Sequence, residues 1–116
     1  MTEGDCLRYR DYAVVMLEMM HATRSFTMVC SEHAIRKMLW KEHVQLMVMS
    51  TLTMDMMSVN HDLMPLLSRN IRFGRSWSGS VCIYGIRAVL NDDMDTGDIL
   101  MVDSHNDRIS VHLTCI

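Results

Sequence analysis

From Arg108 to Cys115 the chain alternates without a break. Ile109, Val111, Leu113 and Cys115 are apolar, while Arg108, Ser110, His112 and Thr114 are polar. Successive side chains of a strand point to opposite faces, so this pattern predicts a strand with one face on a core and the other half polar. Asp98–Asp103 (Asp-Ile-Leu-Met-Val-Asp) reads as a second strand, and Ser104-His105-Asn106-Asp107 between them has turn composition. Together they predict a hairpin. Upstream, residues 81–90 are β-rich but interrupted by Gly85, which suggests a bulge or a close backbone approach; a helix from Ser80 is the competing reading. A sheet with a half-polar face is expected to be antiparallel and covered on one side.

The first seventy residues carry a different periodicity. Asp5 can cap a helix running to about Thr23, with Leu7, Tyr12, Val15, Met16, Met19, Met20 and Ala22 as its apolar positions. Residues 25–30 are β-prone and suit a strand or an extended link. Ser31 looks like an N-cap with Glu32 in the first turn, opening a helix that carries Ile35, Met38, Leu39, Leu46, Met47 and Met49. Residues 44–57 alternate well enough for a buried strand, but their length favours continuation of the helix. Asn60 or Asp62 would start a last short helix over residues 63–69, with Pro65 tolerable in its first turn. The fold expected is α+β: a helical N-terminal part, about residues 1–70, packed on a small antiparallel sheet from about residues 71–116.

A chain of 116 residues without repeats, low-complexity tracts or linker-like runs is expected to form a single domain over residues 1–116. The longest uncharged stretches, such as residues 44–54 and 76–86, are about half of what a bilayer crossing needs. The opening Met-Thr-Glu-Gly-Asp-Cys lacks the apolar run of a secretory signal, so a cytoplasmic location is expected. In that setting Cys6, Cys30, Cys82 and Cys115 would be reduced.

Methionine is over-represented: there are 14, against 6% aromatic residues, in a chain that is 49% hydrophobic. Its flexible thioether fills irregular gaps and suits surfaces that accept differently shaped partners. Most of these residues are expected to be core. If Met16, Met19, Met20, Met47, Met49, Met54, Met56 and Met57 exceed the interior available, the remainder form an adaptable helical face for a protein partner or a second copy of the chain. A non-enzymatic protein-binding or regulatory domain, self-associating as a homo-oligomer, is therefore the leading expectation.

Other constellations point to other chemistry. Cys30-x-x-His33 and His112-x-x-Cys115 have the spacing of a tetrahedral zinc site, which would make the chain a zinc-stabilised domain or enzyme. Against this, strand positions three apart face opposite ways, so His112 and Cys115 converge only if the strand end curls. Arg69, Arg72 and Arg75 recur beside Phe73 and Trp77 in a Gly- and Ser-containing stretch, the ingredients of polyanion or single-strand binding. A net charge of −3 excludes the whole chain as an electrostatic polyanion binder and makes nucleic acid a minor expectation. Asp93, Asp95 and Gly97 fit part of a calcium loop, but no glycine or glutamate occupies the required later positions, so residues 91–98 read as a solvated turn. Nucleophilic catalysis has no diagnostic arrangement: Gly-x-Ser-x-Gly is missing from the sequence, and Cys82 near His105 or His112 rests on spacing alone.

Residues 96–104, Thr-Gly-Asp-Ile-Leu-Met-Val-Asp-Ser, resemble the strand that follows the nucleophile in self-cleaving regulators of the LexA and UmuD type. The Ser-x-Met of that family has no counterpart, since Ala88-Val89-Leu90-Asn91 precede, and no lysine follows Lys41. The resemblance implies a strand beginning at Asp98, without the family's peptide cleavage.

Overall fold

Short polar caps divide the N-terminal half more finely than its periodicity suggests. The computed structural model describes residues 7–58 and 80–114. Asp11 caps a helix, α1 (Tyr12–Met20), accepting from the Ala13 N–H at 2.9 Å, so the single helix expected to run to about Thr23 is interrupted before Tyr12; the expected cap Asp5 lies outside the described residues. Residues 24–29 are a strand, β1 (Arg24–Val29). Ser31 caps α2 (Glu32–Lys41) as expected, its Oγ accepting from the Ala34 N–H at 3.2 Å.

The expected continuation of α2 through residue 57 is corrected. The helix stops at Lys41, and His43, with φ +52°, takes the left-handed position after the C-cap that terminates many helices. The chain then forms a strand, β2 (Val44–Met49), and a separate helix, α3 (Thr51–Ser58). Ser50 opens α3: its Oγ accepts from the Thr53 N–H at 3.0 Å. The short helix expected over residues 63–69 lies outside the described residues.

The C-terminal part is β, as expected: β3 (Ser80–Ile83), β4 (Ile86–Leu90), β5 (Asp98–Asp103) and β6 (Arg108–Thr114). Gly85 is neither a bulge nor inside a helix. Tyr84 and Gly85, at φ +55° and +79°, are the two central residues of the β3–β4 hairpin, whose twist requires positive φ at both. β5 begins at Asp98 and pairs antiparallel with β6. Asp103 Oδ1 accepts from the His105 and Asp107 N–H groups, both at 2.9 Å, and so organises their turn.

The fold is α+β, but its sheet is larger than expected and mixed. Six strands lie in the order β1-β6-β5-β2-β4-β3; β1 with β6 and β2 with β4 are parallel, and the other pairs are antiparallel. It is also covered on both faces. Leu46, Met47, Val48 and Met49 are all fully buried, as are Ile99, Leu100, Met101 and Val102. Met47, Met49, Ile99, Met101, Ile109 and Val111 pack with Ile35 and Leu39 of α2 and Met57 of α3. Leu46, Val48, Val89, Leu100 and Val102 pack with Tyr9, Met94 and Val15 of α1. A strand buried on both sides has no polar positions to alternate with, which is why β2 could be read as a helix. The half-polar face expected for β6 is real: Ser110 and Thr114 are half-buried and His112 exposed.

Candidate interaction surfaces

α1 reads Tyr-Ala-Val-Val-Met-Leu-Glu-Met-Met, and of these residues only Val15 is fully buried. Met16 and Met19 pack partly against the core below. Tyr12, Leu17 and Met20 face outward; Leu17 is 56% and Met20 76% exposed. The single charge, Glu18, turns back toward the protein, where its carboxylate accepts from Arg8 Nη2 at 3.1 Å and Arg108 Nε at 2.9 Å. Arg8 also lies 4.7 Å from the centroid of the fully buried Tyr9 ring. This arrangement neutralises Glu18 and leaves the helix surface apolar. A helix that is apolar all round is ordinarily a buried one.

The eight methionines singled out from the sequence do not share one face. Met47, Met49 and Met57 are core. Met54 and Met56 of α3 are half-buried beside the cluster on the α2 side of the sheet. Met16, Met19 and Met20 belong to α1, which lies across the sheet. Leu17 and Tyr12 complete the exposed surface of α1. The signal that could have found them is the near-absence of charge over residues 12–20, stronger evidence here than methionine content.

The zinc constellation is not drawn together by the elements described. Cys30 is buried at the end of β1, where its N–H donates to Thr114 O at 2.8 Å. His33 is exposed on α2. His112 alternates with the core residues Val111 and Leu113, so it points away from the α2 side, and its Nδ1 is 2.8 Å from Asp98 Oδ1. Cys115 lies outside the described residues. Among the described residues, no three His, Cys, Asp or Glu side chains group as metal ligands. Arg69, Arg72, Arg75 and Trp77 also lie outside the described residues. Of the residues considered for nucleophilic chemistry, Cys82 is on β3 and His105 is exposed in the β5–β6 turn.

Residues 91–98 are more than a solvated turn. Asn91 Nδ2 donates to Tyr9 O at 3.2 Å and Arg10 O at 3.0 Å, while its Oδ1 accepts from the Asp93 N–H at 3.0 Å. Gly97 N–H donates to Thr53 Oγ1 at 2.9 Å. Asp92 Oδ1 accepts from the Thr51 N–H at 2.9 Å, so the turn supplies a second cap to α3. Hydrogen bonding to the Thr51 side chain, and then to its backbone, holds the Asp92 carboxyl below its ordinary value. The carboxylate therefore stabilises the fold above the usual carboxylate range, and that contribution is lost as pH falls through its depressed value. Asp92→Ala is expected to cost up to about 1 kcal/mol at neutral pH, the size of a helix cap at an exposed site. Urea melts of both proteins over a descending pH series should show the gap narrowing once the pH drops below the usual carboxylate range; a gap that stays constant down to the acid limit of folding would mean packing, not charge, is responsible.

On the other side of the sheet, α2 presents Arg36, Lys37, Trp40 and Lys41 to solvent. Trp40 is 84% exposed. Arg36 is held by Glu32 at 3.2 Å and lies 5.5 Å from the Tyr84 ring centroid. Between Trp40, Arg36, Leu39, the β3–β4 turn residue Tyr84 and Ile86 at the start of β4 is a depression of about 360 Å³. No helix among the described residues is long and apolar enough to cross a membrane. The chain matches no known protein family, curated protein or solved structure.

Proposed function

We propose that this chain is a non-enzymatic protein-binding or regulatory domain that self-associates as a homo-oligomer through the outer face of α1. The observation that carries this reading is an exposed helix whose one charge, Glu18, is consumed by Arg8 and Arg108. Tyr12, Leu17 and Met20 are left as an apolar surface, and Met16 and Met19 beneath it are flexible enough to reshape the contact. A two-fold axis beside α1 would pack the helix on its own copy, burying the same patch twice. The reading goes with a cytoplasmic setting.

Sedimentation velocity at micromolar concentration tests it. The wild-type chain is expected to sediment as a dimer or larger, and Leu17→Glu or Met20→Glu as a monomer. Because both positions are exposed, thermal melting of the variants at dilutions where the wild type is also monomeric should be unchanged. A wild-type chain that stays monomeric throughout the micromolar range would overturn the proposal.

A further inference from the structure

We infer that the outer face of α2 is a binding site for single-stranded nucleic acid, with Trp40 as the base-stacking platform and Lys37, Lys41 and Arg36 as the phosphate contacts. Both lysines of the chain are on this helix, four residues apart and hence on one side of it. Among the described residues neither has an ion-pair partner. Arg36 is oriented by Glu32 on one side and the Tyr84 ring on the other, and with Trp40 it lines two depressions on this face. The chain is acidic as a whole, yet this helix collects three cations against the single carboxylate of Glu32. Net charge averages over surfaces and cannot register such segregation.

Exposure of Trp40 decides which polyanion fits. A tryptophan left 84% in water is a large apolar surface open to a ligand, and open depressions flank it on both sides, each also lined by Arg36. Cations alone would suit any anion, including an acidic peptide or polyphosphate. A planar ring accessible beside guanidinium and ammonium groups suits a ligand whose flat bases alternate with phosphates. A membrane surface fits less well, because an interfacial helix needs a continuous apolar face outward. The apolar face of α2, Ile35, Met38 and Leu39, is spent in the core.

The site is independent of the proposed α1 contact, which is on the opposite face of the sheet, and the test separates the two. Fluorescence anisotropy of a labelled, mixed-sequence single-stranded oligonucleotide is measured over a salt series. Affinity is expected to fall steeply with salt, with the log–log slope reduced by about 0.7 for each cation contact removed. Trp40→Ala is expected to weaken binding roughly tenfold, within the range for one stacked base, while Trp40→Phe retains most of it. Lys37→Glu with Lys41→Glu should weaken it further and flatten the salt dependence. All these residues are exposed, so the variants should melt as the wild type does. Leu17→Glu, which tests only self-association, should leave the affinity of the site unchanged. Three results would each overturn the inference: no binding at low salt, binding indifferent to Trp40→Ala, or competition by inorganic polyphosphate or acidic peptide as effective as that by unlabelled oligonucleotide. Binding to phosphatidylserine vesicles in place of the oligonucleotide would do the same.

Discussion

Met47→Ala is expected to destabilise the fold by about 3 kcal/mol, within the range for truncating a buried Met, Leu or Ile. Met47 is fully buried in the middle of β2, directly opposite Met101 of β5 and beside Ala88 of β4. Removing its thioether leaves a cavity lined by residues that two neighbouring strands hold in register, so the site cannot collapse freely. For a domain of this size the loss lowers Tm by about 12 °C, a large part of ordinary domain stability. Met47→Leu, which nearly conserves volume, should cost less than about 1.5 kcal/mol. Met20→Gln, at an exposed position of α1, should leave the stability of the monomer unchanged. Thermal melts of the three variants thus separate methionines of the core from those of the surface. A Met47→Ala protein as stable as the wild type would show that β2 is not the centre of the sheet.

Gly97→Ala is the second large effect, expected at about 2 kcal/mol for a side chain forced into a strained backbone. Gly97 has φ +95°, outside the region that L side chains favour. An added Cβ would come within 3.1 Å of Leu113 O and 3.2 Å of His112 Cε1. The histidine ring can rotate, but the carbonyl cannot retreat, because the Leu113 N–H donates to Gly97 O at 2.8 Å. On its other side Gly97 is tied to Thr53 Oγ1, so relief of the clash would pull on the start of α3. Gly85 supplies the contrast: it too has positive φ, +79°, but an added Cβ there meets none of the described residues within 4 Å. Gly85→Ala is therefore expected to cost only the conformational strain, about 1 kcal/mol. Chemical denaturation should rank the two in that order; equal costs would mean the approach of Gly97 to β6 is not tight.

Several local features could be read directly because each depends on neighbours in sequence. Ser31 caps α2 whatever lies beyond it, since an N-cap needs only the N–H groups of the next turn. The β5–β6 hairpin follows from alternation on both strands and from turn residues between them. The junction at residues 91–98 was visible only as composition. Nothing in its run of aspartates says that Asp92 would cap a helix begun forty residues earlier, or that Asn91 would bond to the carbonyls of Tyr9 and Arg10. Of the two surfaces proposed for function, that of α1 was partly legible through Met16, Met19 and Met20, whereas that of α2 was hidden. Trp40, Lys37 and Lys41 read as the polar side of an amphipathic helix, and only their exposure together on the folded chain makes them a site.

The sequence by itself determined the α+β class, the two faces of β6 and the cap of α2, because these are short-range consequences of period and of a single polar side chain. Only the tertiary structure decided that residues 44–49 are a strand, that β6 enters between β1 and β5, and which methionines are interior. The reason is physical. A segment apolar on every side satisfies its backbone equally well as helix or strand, and the choice passes to the neighbours. Here β5 and β4 supply hydrogen bonds along both edges of β2, and helices on each face exclude water from Leu46, Met47, Val48 and Met49 alike.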